Sequence, residues 1–238
     1  MFFIDPSIVV TPDYSTYVTP VSSRRDWSAR QKPKRFTCKK AKPPVVRVKV
    51  REKPVVYNHS KTSEALKGMA SGAYSPYEAG THTEVGGLTK GKLGFRRTSS
   101  IQQTRLGNQH CLWVNEIEIT VQSEPVVYIA KKNAKSKCRY KHVLEHEMKH
   151  VQVQRKIIMS YGPIIQSAVQ KKVMQIGVIG PKNAREAQKA SEQMMKEIEQ
   201  TVSDVIAKLI KDRDIRQKDV DTKEEYASVG RALERCGH

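Results

Sequence analysis

The hydrophobic pattern of the chain changes its period near residue 131, and this change constrains the fold more than any other feature. From Cys111 to Val121 apolar side chains occupy alternate positions, as in a strand with one buried face. From Tyr140 onward apolar residues recur at spacings of three and four, which is typical of amphipathic helices. Strands that are followed by helices, instead of alternating with them, indicate the α+β class.

The predicted sheet is small and antiparallel. The alternating segment 111–122 forms one strand, Ser123-Glu124-Pro125 forms a turn, and residues 126–130 form the returning strand of a hairpin. Residues 60–110 are rich in Gly, Ser and Thr. We predict a turn and a short helix over residues 58–66, and loops with one or two short strands in the rest.

The C-terminal half is predicted to be helical throughout. The first helix begins near Arg139, and Gly162-Pro163 breaks or kinks it before a second helix over residues 164–175. A longer helix follows, with a packing stripe over residues 191–209. A last helix begins near Thr222, and the side chains predicted to face inward from it are Tyr226, Val229 and Leu233.

The N-terminal segment differs from the rest in charge and proline content. The chain carries 43 Lys and Arg against 24 Asp and Glu, and residues 1–60 hold thirteen of the former and four of the latter. Seven of the eleven prolines lie in the first 54 residues. We predict a mostly disordered basic arm over residues 1–55 and a catalytic domain over 56–238, with its sheet in 56–131 and its helical half in 139–238. The arm suggests an anionic surface or a polyanion as partner, although a solvated leader without a partner has the same composition.

The four cysteines and the lengths of the apolar runs bear on disulfides, zinc ribbons and membrane segments. Cys138 and Cys236 are able to join the chain end to a helix start if the compartment is oxidising, and four free thiols are the alternative. The four cysteines include no CxxC pair, so the sequence does not predict a zinc ribbon. No run approaches the roughly 18 apolar residues of a transmembrane helix, and the first residues do not have the pattern of a signal peptide.

One short motif carries chemistry. Residues 146–150 read His146-Glu147-Met148-Lys149-His150, the HExxH pattern, inside the first predicted helix. Residues i and i+4 lie on one helix face, so two imidazoles are able to bind one Zn²⁺ ion. The glutamate between them then lies beside the metal, where it is able to take a proton from water.

With this motif after a hairpin, residues 111–153 resemble the zincin superfamily of zinc metallopeptidases, particularly its small bacterial members. The resemblance implies that His146 and His150 are zinc ligands and that Glu147 is the catalytic general base. It also implies a peptide or protein substrate. Together with the even number of cysteines, it suggests a periplasmic or extracellular location.

The third zinc ligand is left open by the sequence. Val153 and Lys156 stand where a metzincin has its glycine and third histidine, which excludes that subclass. A carboxylate from a later helix is the alternative, and His142 is a further candidate one turn before His146. The carboxylate candidates are Glu186, Glu192, Glu197, Glu199, Glu224 and Glu225, with Glu199 and Glu225 on the inward sides of their helices.

The sequence therefore predicts a zinc-dependent hydrolase, most simply a metallopeptidase. The alternative is a basic protein that binds nucleic acid or another polyanion and in which HExxH is incidental. An aromatic content of 6 % leaves few stacking platforms for single-stranded nucleic acid, which favours the first hypothesis.

Overall fold

The structure, a computed structural model, describes residues 3–4, 12–21, 36–39, 41–70, 74–77 and 84–237. In these ranges seven strands form one sheet, and two long helices pack on one of its faces. The strands are β1 (Phe3–Ile4), β2 (Pro12–Val21), β3 (Val45–Glu52), β4 (Val56–Asn58), β5 (Gly87–Leu106), β6 (Gln109–Ile129) and β7 (Ile179–Lys182). The helices are α1 (Ser63–Met69), α2 (Lys131–Ala134), α3 (Lys137–Ile176), α4 (Ala184–Lys218) and α5 (Lys223–Arg235).

The α+β class is confirmed, but the sheet is mixed and larger than predicted. Its centre is an antiparallel hairpin of β5 and β6, strands of 20 and 21 residues that turn at Gly107 with a φ of 58°. β1 and β2 run parallel to β5, whereas β3 and β4 run parallel to β6. β7 pairs antiparallel with the start of β6. The prediction of a small, purely antiparallel sheet is therefore wrong for β1, β2, β3 and β4.

The turn predicted at Ser123-Glu124-Pro125 is wrong, because β6 runs straight through these residues. β3 ends opposite Ser123 and β4 begins opposite Val126, which leaves a gap in the outer ladder. The carbonyl of Ser123 points to that gap and accepts from the amide of Lys53. Pro125, two residues further, faces the same way, so its missing N–H costs the sheet no hydrogen bond.

The loops predicted for residues 60–110 are also wrong over most of their second half. β5 carries Gly87, Gly91 and Gly94, and the strand propensity of glycine is low. At Gly87 and Gly91 an added Cβ would lie within 3 Å of side chains from α3. These glycines therefore let the helix pack close to the sheet, and they hide the strand from its sequence pattern.

The boundary predicted at residue 55 is too late. β3 pairs with residues 116–123 of β6, Val46 is buried, and Cys38 forms a disulfide with Cys111. β1 and β2 add further pairing along β5. The rest of the predicted arm, residues 1–2, 5–11, 22–35 and 40, lies outside the described residues.

Of the break or kink predicted at Gly162-Pro163, the break is wrong, since α3 runs through both residues and is 40 residues long. A proline inside a helix costs about 3 kcal/mol, and burial on both sides of it offsets that cost. The buried stripe continues across the proline through Ile157, Ile158, Tyr161, Ile165, Val169 and Val173.

α4 and α5 bring the end of the chain back to the start of α3. α4 packs along α3 and over the sheet, and its stripe over residues 191–209 contributes Met194, Ile198 and Leu209 to the core. The predicted start of α5 at Thr222 is confirmed, since the Thr222 hydroxyl accepts from the amide of Glu225. Cys138 and Cys236 form a disulfide, so the disulfide interpretation of the cysteines holds. Among the described helices, none is sufficiently long and apolar to cross a membrane.

Candidate metal centre

Three buried ligand atoms converge where α3 meets the junction of α4 and α5. His146 and His150 lie one turn apart on α3, and Asp221 lies in the short segment before α5. The Nε2 atoms of the two histidines are 3.2 Å apart. Oδ1 of Asp221 lies 3.5 Å from Nε2 of His146 and 3.1 Å from Nε2 of His150. All three residues are about 1 % exposed.

These separations match one face of a zinc coordination tetrahedron. Ligand atoms at 2.0–2.1 Å from Zn²⁺ in tetrahedral geometry lie about 3.3 Å from one another. The three measured separations cluster around that value. Three protein ligands leave a fourth position open, which is the arrangement of catalytic rather than structural zinc sites.

The other ring nitrogens determine where the imidazole protons lie. Nδ1 of His146 is 3.2 Å from Oε1 of Glu225, and Nδ1 of His150 is 2.7 Å from Oε1 of Gln217. Nε2 of Gln217 donates to the backbone carbonyl of His150 at 3.1 Å, so its amide oxygen must face the ring. Because both partners of Nδ1 are acceptors, each neutral imidazole has its proton on Nδ1 and its lone pair on Nε2.

Two imidazole lone pairs and a carboxylate oxygen therefore point at one small space. With both protons on Nδ1, the two Nε2 lone pairs and the Asp221 oxygen are three neighbouring acceptors, whereas in the absence of a cation a proton on Nε2 has to bond to Asp221 in the place of the metal. A divalent ion satisfies all three, and the Nδ1 contacts to Glu225 and Gln217 orient the ligands as outer partners do in known zinc sites. The donor set of two imidazoles and one carboxylate fits zinc.

Asp221 is the candidate ligand that the sequence did not single out. It lies directly before Thr222, outside the helices, whereas the carboxylates that the sequence suggests are glutamates on helices. Its Oδ1 also accepts from the hydroxyl of Tyr226 at 2.7 Å, and the Tyr226 ring packs 5.7 Å from that of His146. A signal was present, since a buried tyrosine on the first turn of α5 needs a hydrogen-bond partner nearby.

The two preferred candidates for the third ligand lie elsewhere. Glu225 is near the site but contacts the Nδ1 side of His146, and it also pairs with Lys149. Glu199 lines an apolar cavity between α4 and the β5–β6 hairpin, away from the histidines. The structure therefore brings neither of them into the cluster with Nε2 of the two histidines, although Glu225 contacts the outer nitrogen of His146.

His142 does not join the site either. Its Nδ1 is 3.3 Å from a carboxylate oxygen of Glu145 on the same helix. It does lie close to Cys138 and Cys236, but those sulfurs are bonded to each other. A disulfide does not offer the thiolates that bind a metal, so this second cluster is no metal site in the oxidised protein.

Glu147 lies on the neighbouring face of α3, against the first residues of β5. Its side chain is fully buried, and Oε2 accepts from the Thr89 hydroxyl at 2.7 Å. Oε1 has no hydrogen-bond partner among the described residues. An added Cβ on Gly87 would lie 2.6 Å from that same oxygen, so only glycine leaves room for the carboxylate there.

Burial and charge act against each other at these groups. Burial raises the pKa of the Glu147 carboxyl above its ordinary value, and the neighbouring His146 and His150 only partly oppose it. Burial also tends to raise the pKa of Asp221, but hydrogen bonds with His146 and His150 outweigh it and hold that pKa below its ordinary value. Burial alone would lower the pKa of His150, and the Asp221 carboxylate raises it overall. Asp221 therefore supplies the negative charge that a divalent cation needs.

Comparison with protein-family models, with curated proteins and with solved structures found no match. The site therefore has to be interpreted from its own geometry.

Glu225 offers a first test of the metal centre. We expect Glu225→Ala to weaken zinc binding about 10–100-fold, because outer partners of histidine ligands contribute that much to affinity. Competition with a fluorescent zinc chelator measures the change. Glu224→Ala is the matched control, since Glu224 is the exposed neighbour on the same helix. Equal zinc affinity in the two variants would contradict the role given to Glu225.

Proposed function

We propose that the protein is a zinc-dependent hydrolase and that it cleaves peptide bonds. The observation that carries this proposal is the cluster of His146, His150 and Asp221, next to Glu147 on the same helix, whose buried Oε1 has no hydrogen-bond partner among the described residues. A structural zinc site needs no such oxygen. A hydrolase needs a base at this position.

His146, His150 and Asp221 would hold the metal. Zinc in such a site acts as a Lewis acid on a carbonyl group and makes a water molecule acidic near neutral pH. Glu225 and Gln217 keep the two imidazoles in the tautomer that leaves Nε2 free.

Glu147 would act as general base. Its carboxylate is buried, so its affinity for a proton exceeds that of an exposed glutamate, which favours proton transfer at neutral pH. The proton taken from water by Glu147 is then available for the leaving amine of the substrate.

The proposed peptide substrate follows from the chemistry of the site. Zinc polarises a carbonyl group, and Glu147 would take a proton from water and pass it to the leaving amine, and these two functions together hydrolyse an amide bond.

Removal of the metal tests the proposal. We expect purified protein to cleave members of a quenched fluorescent peptide library, to lose that activity after chelation, and to regain it with one equivalent of Zn²⁺ per chain. His150→Ala should not regain activity, whereas the matched control His142→Ala should. Undiminished cleavage by the metal-free protein, or no cleavage by zinc-loaded protein, would contradict the proposed function.

A further inference from the structure

We infer that Thr89 is a positioning residue that selects Oε1 of Glu147 as the proton-accepting oxygen. This inference rests on the proposed function and concerns how the base is held. It is carried by the contacts of one buried hydroxyl on β5.

Thr89 is the third residue of β5, and its side chain faces α3. Its side chain is 2 % exposed, and its Oγ1 lies 2.7 Å from Oε2 of Glu147 and 3.1 Å from the backbone carbonyl oxygen of the same residue. A threonine hydroxyl has a single hydrogen to donate. The shorter contact, to the carboxylate oxygen, is the stronger one because the acceptor carries charge.

This hydrogen bond makes the two oxygens of Glu147 unequal. Oε2 receives a hydrogen and loses basicity, whereas Oε1 has no partner among the described residues and keeps its lone pairs. A carboxylate that rotated freely would offer either oxygen and spend part of its time turned away from the water. The hydroxyl of Thr89 removes that freedom.

Gly87, on the same strand as Thr89, also determines where the Glu147 carboxylate can lie. An added Cβ on Gly87 would lie 2.6 Å from Oε1 and 2.9 Å from Cγ of Glu147. A side chain at Gly87 would therefore push the carboxylate off Thr89. The hydroxyl of Thr89 holds one oxygen, and the absence of a side chain at Gly87 leaves space for the other.

Thr89 therefore acts through Glu147 and needs no contact with substrate or metal. A charge-assisted hydrogen bond of this kind corresponds to about 10–100-fold in rate when it is used only at the chemical step. It should lower kcat and leave KM unchanged, because the orientation of the base matters in the transition state and not in substrate binding.

The test compares three variants of the zinc-loaded full chain on peptides that the wild-type protein cleaves. Thr89→Val keeps the shape and removes the hydroxyl, and we expect kcat to fall about 10–100-fold with KM and zinc content unchanged. Thr89→Ser restores the hydroxyl and should recover most of kcat. Thr98→Val is the matched control, because Thr98 lies on the opposite face of β5 from Thr89 by strand alternation, and it should retain wild-type kcat.

Two results would overturn the role of Thr89. One is a Thr89→Val protein with wild-type kcat, and the other is a folded, zinc-loaded Thr89→Ser protein as slow as Thr89→Val. A failure of the proposed function has a different signature, since Glu147→Gln would then be as active as the wild-type protein. In that case Thr89 has no base to position and this inference falls as well.

Discussion

Replacement of Glu147 by Gln is expected to lower kcat by about 10²–10⁴-fold while the protein keeps its zinc. The substitution preserves the size of the side chain and its contact with Thr89, but the amide no longer accepts a proton. His146, His150 and Asp221 are untouched, so the metal has all its ligands. Single-turnover rates on a cleaved peptide, together with zinc content by atomic emission, measure both effects.

Glu145→Gln is the matched control for this experiment. Glu145 is exposed on the same helix, two residues before Glu147, and it contacts only Lys141 and His142 among the described residues. Its replacement should leave kcat within a factor of two or so. If zinc-loaded Glu147→Gln cleaved peptides at the wild-type rate, Glu147 would not be the base. If it lost zinc, Glu147 would instead belong to the ligand set.

The part of the site that was predictable from sequence lies on one helix. His146, Glu147 and His150 occupy a single turn of α3, and helical spacing alone sets their relative positions. The inward positions of Tyr226 and the α4 stripe were predictable for the same reason. The spacing of apolar residues within one helix predicts which face of that helix is buried.

The part that was not predictable depends on how separate elements meet. Asp221 and Gln217 reach His150 because α4 runs 35 residues back along α3 before the chain turns into α5. The hydrogen bonds that orient the ligands join residues 67 and 79 positions apart. No local sequence pattern around Asp221 indicates that it lies next to the two histidines. Its position before Thr222 resembles an ordinary helix start.

The sheet shows the same limit in another form. Glu147 rests on Gly87 and Thr89, in a segment whose glycines and polar residues predicted loops. Those glycines are required by the helix packed on them, because a Cβ would collide with Glu147 or with Gln154. A tertiary contact therefore selected residues that weaken the strand signal. The strand pairing was mispredicted for that reason.

Asp221 should contribute more to metal binding than its outer partners do. We expect Asp221→Ala to weaken zinc affinity by more than about 100-fold, because loss of a direct ligand exceeds the 10–100-fold cost of losing an outer partner. The variant should also lose most hydrolytic activity at limiting zinc. Chelator competition and thermal melting with and without zinc measure the change, since a bound metal stabilises the folded state.

Asp219→Ala is the matched control for that variant. Asp219 is exposed at the end of α4, two residues before the ligand. We expect it to bind zinc like the wild-type protein and to show the same increase in melting temperature on zinc addition. Equal zinc affinity in Asp221→Ala and Asp219→Ala would remove Asp221 from the ligand set.

X-ray absorption at the zinc edge of the zinc-loaded protein is the most direct test of the metal centre. The geometry of His146, His150 and Asp221 predicts nitrogen and oxygen ligands at about 2.0–2.1 Å, with the outer-shell scattering of two imidazoles and no sulfur. A sulfur ligand at about 2.3 Å would place the metal at Cys138 and Cys236 instead. That result, or a spectrum without imidazole scattering, would contradict the metal centre described above.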